Sequence, residues 1–90
     1  MSERRRQVED GLALAKAIGP MLAGKDQHVQ ATALADLLAT FLAGHVVLGD
    51  PKATEALRLD MLAMHMDAVK ALIDLNYKIS VEPQIKARTQ

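Results

Sequence analysis

The feature that most constrains this chain is the stretch from Asp50 to Lys78. It opens with Asp50-Pro51 and then runs without glycine or further proline. Aspartate is a strong N-cap, and proline at the first helical position loses only an amide that would be unpaired anyway. The spacing predicts a helix over residues 51–77, about 40 Å long at 1.5 Å per residue. Steps of about 100° divide it into three faces. Asp60, Ala63, Asp67, Lys70, Ala71, Asp74 and Lys78 form a solvent stripe, with Asp67–Lys70, Lys70–Asp74 and Asp74–Lys78 at ion-pair spacing. Leu57, Met61, Met64, Ala68, Leu72 and Leu75 form one apolar side. Leu59, Leu62, Met66, Val69, Ile73 and Tyr77 form the other. Together the apolar sides span about 220°, twice the arc that a surface helix normally shows to its core.

Two shorter helices are expected before it. The first covers about residues 3–18, with Ser2 as N-cap and Val8, Leu12, Ala15 and Ile18 on one face. Gly11, Ala15 and Gly19 form a row of small residues there. Pro20 should end or kink this helix, with a break at Gly24. The second covers residues 27–43, with Asp26 as N-cap and Gly44 as its stop. Its apolar stripe is Leu34, Leu37, Leu38, Phe41 and Leu42. No segment alternates with the period of a strand. The tail VEPQIKARTQ contains Pro83 and no clear pattern, so residues 79–90 read as irregular. The expected architecture is all-α: one domain over residues 1–78, a three-helix antiparallel (up-down-up) bundle with a long C-terminal helix, packed as a homodimer.

The homodimer follows from a shortage of cover. Ninety residues build only one small core. Two short helices cannot hide both apolar sides of the third, and large exposed apolar patches mark interfaces. The expected contact residues are Leu57, Met61, Met64, Met66, Leu72, Ile73 and Leu75. The partner is a second copy or another protein's helix, and Met61→Asp or Leu72→Asp should disrupt assembly.

Chemistry is sparse. With no cysteine, thiol catalysis and thiolate metal sites are excluded, which fits a cytoplasmic protein. Ser2 and Ser80 lie near the chain ends, and no glycine-rich phosphate loop occurs. His28, His45 and His65 have no histidine or carboxylate at i+3 or i+4, so no single helix supplies a chelate. The densest cluster, MLAMHMD at residues 61–67, suggests a soft metal, yet Met66 points about 160° away from Met64. Methionine fills irregular apolar contacts well, and that is the preferred reading. The alternative is a bundle that binds a small apolar molecule or soft metal through Met61, Met64, His65 and His45. No cofactor, catalytic or metal residue is assigned.

Net charge is zero and Phe41 and Tyr77 are the only aromatic residues, which argues against specific nucleic-acid binding. The Arg4–Arg6 cluster reads as a solvated end, with non-specific phosphate contact the lesser alternative. Asp36 and His45 interrupt the most apolar stretch, so no membrane span is expected. Glu9, Asp10 and Lys16 interrupt the one segment that faintly echoes a signal peptide. The sequence therefore predicts a non-catalytic helical interaction or dimerisation module with an accessory, regulatory or structural role.

Overall fold

A computed structural model describes residues 2–89. Among them every regular element is helical. The order is α1 (Glu3–Leu22), α2 (Gln27–Ala43), α3 (Pro51–Asn76), a wide π-helical turn (Tyr77–Val81) and α4 (Glu82–Thr89). The all-helical class and the long third helix agree with the sequence. The chain divides into two compact units, Met1–Leu38 and Ala39–Gln90, where the sequence reading has one domain over residues 1–78. The division falls within α2.

In the first unit the helix ends are set by short-range polar contacts. The Ser2 hydroxyl accepts from the Arg5 amide at 3.2 Å, and the Asp26 carboxylate accepts from the His28 amide at 2.8 Å. Both residues are the N-caps read from the sequence. Pro20 lies inside α1, two residues before its end, rather than terminating it. Its missing amide costs one hydrogen bond in the last turn, where the Lys16 side chain and its neighbours stand in solvent. The helix closes when the Ala23 amide donates to the Gly19 carbonyl at 3.1 Å. Gly24 then takes φ +75°, a left-handed conformation that suits glycine. The Gln30 side-chain amide reaches back to the Leu22 carbonyl at 2.7 Å, tying the start of α2 to the end of α1.

The second unit begins with the end of α2 and is dominated by α3. Asp50 caps α3 by accepting from the Ala53 amide at 2.9 Å, with Pro51 in the first turn. Gly49, at φ +76°, makes the turn into that cap.

Residues 79–89 are helical, which corrects the expectation of an irregular tail. The backbone stays right-handed through Asn76, Tyr77 and Glu82, so α3, the wide turn and α4 form one uninterrupted helical run. Pro83 explains the wide turn. In a regular α-helix its ring would collide with the carbonyl four residues back, at Ile79. The turn before it is widened instead, with the Glu82 amide donating to the Tyr77 carbonyl at i−5. A Lys86–Glu82 ion pair at 3.2 Å then braces α4. The proline widens the helix rather than breaking it.

Among the described residues no hydrophobic side chain is buried, and Thr54, at 8% exposure, is the one buried polar residue.

Candidate interaction surface on the third helix

A polar corner within the second unit orients α3. Thr54 sits in the first turn of α3, and its hydroxyl serves Val47 twice. It accepts from the Val47 amide at 2.9 Å and donates to the Val47 carbonyl at 3.1 Å. One turn on, Arg58 reaches the last residue of α2 and the segment just after it. Its Nε donates to the His45 carbonyl at 3.1 Å, and Nη2 donates to the Ala43 carbonyl at 2.7 Å. The last carbonyls of a helix lack intrahelical partners and carry the negative end of its dipole, and the bond to Ala43 satisfies both needs. Gly44 ends α2 as expected, with its amide on the Thr40 carbonyl at 3.2 Å.

Neither Thr54 nor Arg58 is a functional candidate from sequence. The helical period does not mark them, because their partners lie seven to fifteen residues away in the connecting loop and at the end of α2.

Two of the three histidines, His45 and His65, lie beside this corner. His45 Nδ1 hydrogen-bonds the Phe41 carbonyl at 2.9 Å. The Phe41 ring meets His45 edge-on at 4.8 Å between centroids and His65 edge-on at 5.3 Å. Both histidines therefore touch one phenyl ring, in the T-shaped geometry aromatic pairs prefer. Met61, Met64, His65 and Ala68 line an open apolar depression of about 220 Å³ on α3. His45 is not in its lining. Ligand pockets are typically enclosed and about 300–1,000 Å³, so the depression suits one inserted side chain better than a small molecule. Among the described residues no group of three or more histidine, aspartate or glutamate side chains could hold a metal ion. None of the helices is long and apolar enough to cross a membrane.

The expected contact residues fall on both apolar sides of α3. Leu57 and Met61 are half-buried beside the corner, while Met64, on the same side, is 70% exposed. Leu72 and Leu75 continue that side into solvent. Met66 and Ile73 lie on the other side with Leu59, Leu62, Val69 and Tyr77, all exposed, Ile73 at 59%. The ion pairs expected on the solvent stripe do not form. Among the described residues the pairs within 4.0 Å are Arg5–Glu9, Arg6–Glu3 and Lys86–Glu82. Lys70 and Asp74 extend into water instead, where an i, i+4 pair is worth only about 0.3–0.5 kcal/mol against the entropy of fixing two side chains.

No family model, curated protein or solved structure matches the chain.

Proposed function

We propose that this chain is a non-catalytic helical interaction module that self-associates through α3, serving an accessory or structural role. The observation that carries this reading is the exposure of α3 on two sides. Leu59, Leu62, Met66, Val69 and Ile73 on one side and Met64, Leu72 and Leu75 on the other all remain accessible. Contiguous apolar surface of this extent marks a protein contact. Hydrogen bonds from Thr54 and Arg58 tie the start of α3 to the segment that follows α2, and methionines at positions 61, 64 and 66 give the helix an adaptable surface.

Sedimentation equilibrium at micromolar concentration tests the reading. The expected mass is twice the 9.8 kDa of one chain. Leu72→Asp and Ile73→Asp place a charge on one apolar side each, and the variant that reverts to monomer identifies the side used. A wild-type chain that stays monomeric refutes self-association.

A further inference from the structure

One apolar side of α3 continues past the end of the helix, and that continuation selects an occupant. Leu59, Leu62, Met66, Val69 and Ile73 follow one another at alternating steps of three and four. That is the 3.5-residue repeat of a coiled-coil seam. Continued as a plain α-helix, the next apolar residues, Val81 and Ile85, would rotate onto the charged stripe. The π-helical turn prevents this. An i→i+5 turn holds one more residue than an α-turn and sets everything after it back by about 100°. Val81 and Ile85 thereby return to the side of Met66, Ile73 and Tyr77, and both are exposed there. The seam runs unbroken from Leu59 to Ile85.

Its ends carry opposite charges. One step before Leu59, on the same side, stands Glu55, and beyond Ile85 stands Arg88. Both are exposed, and neither is in an ion pair within 4.0 Å among the described residues. The stripe is also nearly symmetric about Ala71. Val69, Met66, Leu62, Leu59 and Glu55 lie two, five, nine, twelve and sixteen residues before it; Ile73, Tyr77, Val81, Ile85 and Arg88 lie two, six, ten, fourteen and seventeen after it. Allowing for the extra residue of the wide turn, the two halves match to within one residue, about 1.5 Å along the axis.

We infer that a second copy of this chain packs antiparallel along this seam, with the two-fold axis at Ala71. This rests on the proposed self-association and specifies its face, direction and register. Val69 then faces Ile73 of the other copy, and Met66 faces Tyr77. Leu62 faces Val81, Leu59 faces Ile85, and Glu55 meets Arg88 at each end. Lys70 and Asp74, beside the seam and in no ion pair within 4.0 Å among the described residues, come within about 3 Å of each other's level across the axis. A parallel pairing would instead set Glu55 against Glu55, Lys70 against Lys70 and Arg88 against Arg88, which like-charge repulsion disfavours. Its eight apolar side chains are 36–59% exposed, so complete cover would bury at most about 700 Å² of them per copy, against roughly 800 Å² for a standard stable interface.

The chain has no cysteine, so introduced thiols report register directly. Leu62→Cys and Val81→Cys chains are prepared separately, mixed under reducing conditions and then oxidised, with circular dichroism confirming wild-type helicity. The mixture should yield disulfide-linked dimer and each variant alone should not, because Leu62 lies about 27 Å from its own mate in the antiparallel register. Cross-linking of Leu62→Cys with itself would overturn the proposal in favour of a parallel pair. A dimeric mass with no cross-link from the mixture would overturn the seam while leaving self-association intact. A monomeric mass would overturn both.

Discussion

Replacing Thr54 by valine removes one hydroxyl and little else. The two side chains share shape and β-branching, so helix propensity and packing are conserved. What is lost is the double contact with Val47, at 2.9 and 3.1 Å. The Val47 carbonyl keeps a partner, because it also accepts from the Asp50 amide at 3.1 Å. The Val47 amide keeps none. A lost hydrogen bond costs about 1 kcal/mol, and a partly buried amide left without a partner adds about as much again. The corner should therefore be destabilised by about 2 kcal/mol, equivalent to about a 30-fold rise in its local opening constant. Amide hydrogen exchange at Val47 reads this directly. Thr54→Val should accelerate it by that factor, whereas Thr54→Ser, which retains the hydroxyl, should stay within a few-fold of wild type. Unchanged exchange at Val47 in Thr54→Val would refute the claim that this hydroxyl holds the corner.

Two further outcomes follow from the same geometry. Arg58→Met keeps the aliphatic stem but withdraws both guanidinium bonds from the end of α2; the cost should be about 1 kcal/mol, seen as a lower urea midpoint and faster exchange around Gly44. Pro83→Ala should let the wide turn close to a regular α-turn, detectable by NMR contacts between Tyr77 and Val81. Circular dichroism should show helicity held or raised, while sedimentation shows weaker association as Val81 and Ile85 leave the seam.

Much of this architecture is legible in the sequence, because helix ends are encoded within a few residues. Ser2, Asp26 and Asp50 supply an acceptor to an amide two or three positions ahead, and the structure uses all three. The two-sided apolar pattern of α3 is equally local, since it needs only the helical period. The features that escaped depend on context. Pro20 reads as the end or a kink of the first helix, and Pro83 lies in a tail that reads as irregular. Pro20 falls where only one bond remained to lose, and Pro83 is accommodated by widening the preceding turn. Asp67, Lys70 and Asp74 have ion-pair spacing, but exposed pairs gain too little to fix their side chains. The hydroxyl of Thr54 and the guanidinium of Arg58 bond carbonyls and amides seven to fifteen residues away. Such pairings depend on where a loop returns, which no periodicity reports. His45 and His65 do come together, as the sequence allowed, but around the ring of Phe41 rather than around an ion.

The absence of any buried hydrophobic side chain among the described residues has a calorimetric consequence. The heat-capacity increment of unfolding comes from apolar surface returning to water, whereas polar surface contributes with the opposite sign. A corner held by hydroxyl, guanidinium and backbone groups should thus open with almost no increment, over a broad temperature range. On the proposed self-association, nearly all of the increment belongs to the contact between chains. The proposed self-association predicts that scanning calorimetry across a dilution series shows a cooperative transition that sharpens and climbs with protein concentration.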